Sequence, residues 1–260
     1  MNSTEVNSLK KLNFNFVFLC ISIIFLFSCA GTKTIEPTGP DILYNQAMEK
    51  FKKEDYQASK NLFEAFLFSY PANKLADQAQ FYLAETHYKR DEFIIAAFSY
   101  NSLAAKYTSS PLVSTAQFKA AECYYRLSPK FDRDQEYTVK AIDALKSFRL
   151  MYSNDSLTRK ADSLISILRN KLAQREFTTA ELYIKLDEPK SALVYYQSII
   201  NDYTDTNFFE NSFYGKIQVL LTLRRYDELK SMIATYPRVF PQGKYNKEIE
   251  DISNKVINIH

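Results

Sequence analysis

Two hydrophobic patterns divide this chain of 260 residues. The first is continuous: Lys10 and Lys11 precede Leu12 to Ser28, a run dominated by Phe, Leu, Ile and Val that carries no charge. A short cationic segment followed by an apolar core is the layout of a secretory signal peptide. A membrane span needs roughly 20 apolar residues, whereas this run is short and holds Asn13 and Asn15. Cleavage is therefore the expected outcome and a retained span the alternative. The second pattern is periodic. Residues 55–71, DYQASKNLFEAFLFSYP, place an aromatic at Tyr56, a small residue at Ser59, an aromatic at Phe63 and Tyr70 before Pro71. Residues 92–108, EFIIAAFSYNSLAAKYT, repeat this 37 positions later with Phe93, Ala96, Tyr100 and Tyr107. Looser copies follow at Ala141, Leu145 and Tyr152, at Ala192, Tyr196 and Tyr203, and at Tyr226, Leu229 and Ile233. Apolar residues three, four and seven apart share one face of a helix, so the pattern predicts helices.

The repeat resembles the tetratricopeptide pattern, a helix pair of about 34 residues whose small residues let the two helices close. One such pair cannot bury its own apolar face, so neighbouring pairs stack. The predicted fold is all-α: a tetratricopeptide-like superhelical solenoid of about five helix pairs over residues 41–240, followed by a helical tail at 241–260. Two irregularities stand out. Residues 128–136, SPKFDRDQE, hold Pro129 and several charges and predict a loop. Within it Asp132 precedes Gln135 by capping-box spacing, which predicts a helix start there. Residues 159–177, RKADSLISILRNKLAQREF, carry Leu164, Ile167, Leu168 and Leu172 and predict one continuous helix between the third and fourth units.

Composition removes several classes of chemistry. The chain has four glycines, and only Gly215 and Gly243 lie beyond residue 40, too few for a dinucleotide fingerprint or a phosphate loop. Only His87 and His260 are present, so a histidine metal cluster or a serine-histidine triad lacks material. No cofactor and no metal is expected. Carboxylates are plentiful but fall on helical surface positions, where a solvated face is the ordinary role, and no enzymatic activity is expected. The net charge of +3 comes without a long basic run, which gives no footprint for nucleic acid.

Three cysteines remain to be placed. Beyond the signal segment, Cys29 and Cys123 are the only thiols, so stability must come from packing. Cys123, on a predicted first helix, reads as a buried inert thiol. His87, beside Tyr88 and Lys89, reads as a packing or surface residue. Cys29 is different, because Leu26-Phe27-Ser28-Cys29 resembles the lipobox of bacterial lipoproteins, in which the cysteine is acylated and becomes the first residue. Phe27 is bulkier than the usual occupant. Residues 30–40 hold two glycines, two prolines and three threonines and predict an extended tether. At ~3.4 Å per residue it reaches about 35 to 40 Å. The predicted organisation is a signal peptide at 1–28, a lipidated tether at 29–40 and the helical repeats thereafter.

With the units in register, the predicted first helices form three columns. Tyr44, Phe81, Phe118, Phe177 and Tyr214 make one, aromatic throughout. Seven residues on stand Phe51, Tyr88, Tyr125, Ile184 and Leu221, and beside them Lys52, Lys89, Arg126, Lys185 and Thr222. Residues seven apart share a face, so the columns predict an apolar stripe edged with positive charge. Such a surface suits a peptide with aromatic side chains and a carboxylate. The same columns equally describe packing between repeats, with lysines reaching out to water.

The lipobox, tether and five pairs together resemble the BamD family of outer membrane protein assembly factors. The stretches that carry the likeness include QAQFYLAETHYKRDEFIIAAFSYN, SPKFDRDQEYTVKAIDALKSF and LAQREFTTAELYIKLDEPKSALVYYQSIINDYTDT, within residues 41–237. Arg133, Asp134 and Gln135 and the LAQREFTTAELY segment are the more distinctive parts. The resemblance implies a non-enzymatic lipoprotein on the periplasmic side of the outer membrane. It implies two partners: the core protein that assembles β-barrels, and unfolded outer-membrane proteins. The substrate groove would then comprise Tyr44, Phe51, Lys52, Phe81, Tyr88, Lys89, Phe118, Tyr125 and Arg126, and the partner interface Phe177, Lys185 and Tyr214. Thr108, Ser153 and Thr204 depart from the repeat-ending proline. The competing reading is another lipoprotein scaffold serving cell-envelope or pilus assembly, with a hydrolase third.

Overall fold

The computed structural model describes residues 39–257, so the signal segment, Cys29 and all of the tether but its last two residues lie outside the described part. Among the described residues eleven helices succeed one another: α1 (Pro40–Lys52), α2 (Tyr56–Ser69), α3 (Ala76–Lys89), α4 (Phe93–Lys106), α5 (Val113–Leu127), α6 (Glu136–Met151), α7 (Thr158–Lys185), α8 (Pro189–Asp202), α9 (Phe209–Thr222), α10 (Tyr226–Val239) and α11 (Asn246–Ile257). No strand occurs among the described residues. Each helix packs on the one before and the one after, giving five antiparallel pairs and a terminal helix in an all-α, tetratricopeptide-like solenoid.

Two recurring turns set the pairs. Within a pair, Glu54, Asp91, Asp187 and Arg224 adopt φ of 58°, 58°, 57° and 55°, the left-handed conformation that closes a helix C-terminus. The next N–H reaches back five residues to the fading helix, as in Asp55 to Lys50 O at 3.0 Å and Glu188 to Tyr183 O at 2.9 Å. Between pairs, the second helices end at Tyr70, Tyr107, Tyr152 and Tyr203, whose carbonyls accept from Asn73, Ser110, Asp155 and Thr206. Asn73, Ser110 and Asp155 in turn accept the N–H two residues on. These backbone and side-chain bonds stop the helix by themselves, so no proline is needed at Thr108, Ser153 or Thr204.

Small residues at the crossings let backbones approach. Ala84 and Ala96 are fully buried together, as are Ala180 and Ala192, and Ser59 Oγ donates to Ala47 O at 3.1 Å in the first pair.

The third pair lacks the left-handed turn and carries the 128–135 loop instead. Here the expected cap is corrected: Asp132 is exposed, and α6 starts at Glu136 with no side-chain cap at Gln135. Gln135 is instead buried and ties the loop together. It donates to Lys130 O at 2.7 Å and Arg133 O at 2.9 Å, and accepts from Thr138 Oγ1 at 2.6 Å. The oxygen that a capping box would turn toward a helix N–H is taken by the Thr138 hydroxyl, while the amide nitrogen is held by the loop's own carbonyls.

Helix α7, 28 residues long, serves two pairs in succession. Its first half buries Ala161, Ile165 and Leu168 against Phe118, Ala141, Leu145 and Phe148 of the third pair. Its second half buries Ala180 against Ala192 and Tyr196 of α8. The helix is pinned at its middle. Arg169 grips Asp205 with Nε and Nη2 at 2.7 and 2.6 Å, and Asn170 accepts from the Asn207 N–H at 2.9 Å. The repeats therefore form two stacks joined by one shared helix.

Candidate functional site

The first aromatic column lies against the second helix of each pair. Tyr44 is 9% exposed and meets Phe63 and Phe66 edge-on, with centroids 6.0 and 5.9 Å away; burial, with Tyr82 and Asp77 nearby, pushes its phenol up to about 12. Phe118 is 1% exposed and meets Phe148 at 5.4 Å. Tyr44 and Phe118 are thus core residues, and their expected place in a peptide groove is corrected: their helix position points at the partner helix. Phe81 and Phe177 are half-buried against Tyr100 and Tyr196 at 5.7 and 5.9 Å. Tyr214 stacks on Tyr245 at 4.1 Å.

The other two columns reach further out. Phe51, Tyr88 and Tyr125 are half-buried and Ile184 is exposed. Phe51 meets Tyr56 and Tyr82 edge-on at 5.7 and 5.4 Å, and Tyr88 lies under the Lys119 ammonium, 4.8 Å from the ring centre. Lys52, Lys89, Arg126 and Lys185 are all exposed. Arg126 sits 5.2 Å over the Phe93 ring and 4.0 Å from Asp91, a loose pair worth little in water.

A ladder of alternating charge, unforeseen from the columns, crosses three first helices. Tyr100 Oη donates to Glu85 at 2.5 Å, Lys119 lies 3.3 Å from Glu85 and 3.5 Å from Glu122, and Lys160 reaches Glu122 at 2.7 Å. Burial works to lower the Lys119 ammonium pKa, but the two carboxylates outweigh it and raise it. The signal was present: Glu85, Glu122 and Glu181 each follow a column aromatic by four residues.

The second unforeseen feature is an open flank. In α3, α5 and α9 the same register positions face the preceding pair and carry Ala79 and Thr86, Ala116 and Cys123, Ser212 and Val219, all buried. In the second half of α7 those positions are Arg175 and Leu182, and Leu186 stands one turn beyond Leu182 at the helix C-cap. Arg175 is exposed, Leu182 is 53% exposed and Leu186 is 59% exposed. The third pair is already occupied by the first half of α7, so nothing precedes the second half. Among the described residues, Ile42 at the same register position of α1 is likewise exposed, at 55%.

No cluster of metal-ligating side chains occurs among the described residues. Cys123 is buried, and that burial, with Glu122 beside it, pushes its thiol up to about 12, the opposite of an activated nucleophile. His87 is buried with Nδ1 2.6 Å from Glu92, a packed and partnered ring.

Two curated relatives are each called outer membrane protein assembly factor BamD. That of Rickettsia prowazekii is 20% identical over 78% of this chain and 81% of its own length, and that of Vibrio cholerae is 20% identical over 72% and 82%. Among solved structures, a thermophilic tetratricopeptide-repeat protein of Thermus thermophilus is 18% identical with a TM-score of 0.35, and one from Parabacteroides merdae is 13% identical with a TM-score of 0.25. Each alignment covers 84% of this chain and 99% of the other, but superpositions this loose leave the fold to be judged from the helix pairing itself. The family model described as outer membrane lipoprotein, YfiO, matches residues 38–225. With well over half of its length in that match, the chain belongs to the YfiO family of outer membrane lipoproteins.

Proposed function

We propose that this chain is a scaffold subunit of the machinery that assembles β-barrel proteins in the outer membrane. It is anchored on the periplasmic side by lipid on Cys29, without enzymatic activity of its own. The C-terminal stack takes hold of the core assembly protein, and the exposed columns of the first stack receive segments of unfolded barrel proteins.

The observation that carries this reading is the open flank of α7. A first helix in a solenoid ordinarily gives this face to a preceding second helix; here Leu182 and Leu186 present it to solvent between Arg175 and Lys185. A partner element that lies where the missing helix would be buries the leucines, and carboxylates on it meet the cations at the edges. In this reading Lys185 belongs to that surface, and Phe177 and Tyr214, on the first helices of the fourth and fifth pairs, complete the partner interface. In the first stack, Lys52, Lys89 and Arg126 beside Phe51, Tyr88 and Tyr125 offer pockets for rings and cations for a carboxylate.

Photo-crosslinking from Leu182 and Leu186 in cells, followed by identification of the captured protein, tests the proposal. Capture of an outer-membrane barrel protein with periplasmic domains is expected, and L182D/L186D loses it while keeping the helical circular dichroism of the parent. Capture of pilus or peptidoglycan-assembly components instead overturns it.

A further inference from the structure

The outward stripe of the second helices carries at least one charged residue in every pair except the second: Glu64 on α2, Asp143 and Lys146 on α6, Lys190 beside exposed Val194 on α8, and Asp227 and Arg238 on α10. At equivalent positions α2 exposes Gln57, Asn61, Glu64 and Phe68. Helix α6 exposes Val139, Asp143, Lys146 and Leu150, and α10 exposes Asp227, Ser231, Ala234 and Arg238. Helix α4 exposes Ile94, Phe98, Asn101 and Ala105, with Ile95 beside them. Phe98 is 71% exposed and Ile94 57% exposed, and no charged residue occurs from Phe93 to Ala105. Its opposite face is fully used, since Ala96, Ala97, Tyr100 and Leu103 pack into the second pair's core. A helix apolar on its outer side as well is one that something covers.

From this face we propose that the outer stripe of α4 inserts into the lipid surface to which the chain is anchored, so that Ile94, Ile95 and Phe98 seat the first stack against the bilayer. The inference rests on the lipid-anchor reading of Cys29. Unlike the α7 flank, where Arg175 and Lys185 border the leucines, the α4 stripe has no charge from Phe93 to Ala105 with which to orient a protein partner, which disfavours a second copy or another protein as occupant. A bilayer asks for no such pairing, and once the chain is tethered the anchor supplies a high effective concentration. The reach is adequate. Helix α4 is three packing steps from α1, each about 8 to 10 Å, and a segment of the tether's length has a maximum reach of about 35 to 40 Å when extended. The absence of charge is what hydrocarbon demands, and isoleucine and phenylalanine on one face are what it rewards. Lys106, exposed at the end of the helix, is placed to meet lipid phosphate.

The full lipidated chain in vesicles of phosphatidylethanolamine and phosphatidylglycerol, with a fraction of the lipids carrying a quencher in the acyl chain, provides the test. A fluorophore is attached through Phe98→Cys or, as reference, through Ser231→Cys at the equivalent position of α10; buried Cys123 does not compete for label. Insertion is expected to quench the label at 98 at least about twofold more than the label at 231, and I94E added to the Phe98→Cys chain is expected to abolish the difference. Flotation of the vesicles is scored first. A chain that fails to float overturns the anchor reading. One that floats with equal quenching at both sites overturns the insertion of α4.

Discussion

Tyr100 on α4 donates its hydroxyl to Glu85 on α3 at 2.5 Å, and Tyr196 makes the same bond to Glu181 in the fourth pair. The two tyrosines are 96 positions apart, as are the two glutamates, so one phenol-carboxylate clasp closes both pairs. Burial is the largest cause holding each phenol above its usual range, with the glutamate adding to it. Tyr100→Phe and Tyr196→Phe each leave a part-buried carboxylate short of a donor. A loss of about 1 to 2 kcal/mol per site is expected in urea unfolding, and an unchanged midpoint argues against the clasp.

Gly215 is where α9 passes over Tyr196. A Cβ there would lie 2.6 Å from the ring's Cζ, against the body of a buried ring that cannot swing away. Gly215→Ala is expected to destabilise by about 1 to 3 kcal/mol through overpacking. The cost should shrink when Tyr196→Leu makes room, and thermal melts of the double-mutant cycle measure that coupling.

Arg224 and Asp187 hold left-handed backbone with no hydrogen-bonded glycine to ease it. Arg224→Gly and Asp187→Gly relieve the Cβ clash at a helix C-terminus and are expected to stabilise by about 0.5 to 1 kcal/mol, the relief exceeding the extra unfolded-state entropy of glycine. A lower melting temperature in either variant contradicts this.

Arg169 holds the Asp205 carboxyl below its ordinary value, chiefly by the direct hydrogen bonds between them and against some burial. A depressed folded-state pKa adds stability that is fully present above the unfolded value near 3.8 and is lost as pH falls through the lower folded one. The Asp205 side chain is half exposed, so screening keeps the contribution to no more than about 1 kcal/mol. Stability measured from pH 6 down to pH 2 should fall less steeply in Asp205→Asn than in the parent, and the two should converge at the acid end.

Charge reversal of the basic column addresses the groove. K89E/R126E is expected to weaken a peptide ending in phenylalanine by roughly tenfold, the scale of losing two exposed cation contacts with a carboxylate. Fluorescence titration reads it, and equal affinity defeats the role assigned to these two residues.

The repeat was legible because packing repeats. Tyr56, Ser59, Phe63 and their copies recur since each pair must bury the same stripe, and Lys52, Lys89, Arg126 and Lys185 stand exposed where a helical register puts them. The aromatic column was legible as a column but not in its direction. Periodicity says that Tyr44 and Phe118 share a face, and only the crossing of α1 on α2 and of α5 on α6 says that this face is the interior. The cap at Asp132 failed because capping-box spacing ignores the carbonyls of Lys130 and Arg133, which claim Gln135 once the loop has curled.

By itself, then, the sequence determined the all-helical repeat, the poverty of catalytic material and a continuous helix over 159–177, which α7 carries on to Lys185, since each follows from local spacing or from counts. Only the tertiary structure decided that the first half of α7 fills the place behind the third pair and leaves Leu182 and Leu186 uncovered on the second. Which neighbour a helix face meets depends on what the chain has already packed there, and a local pattern carries no record of that.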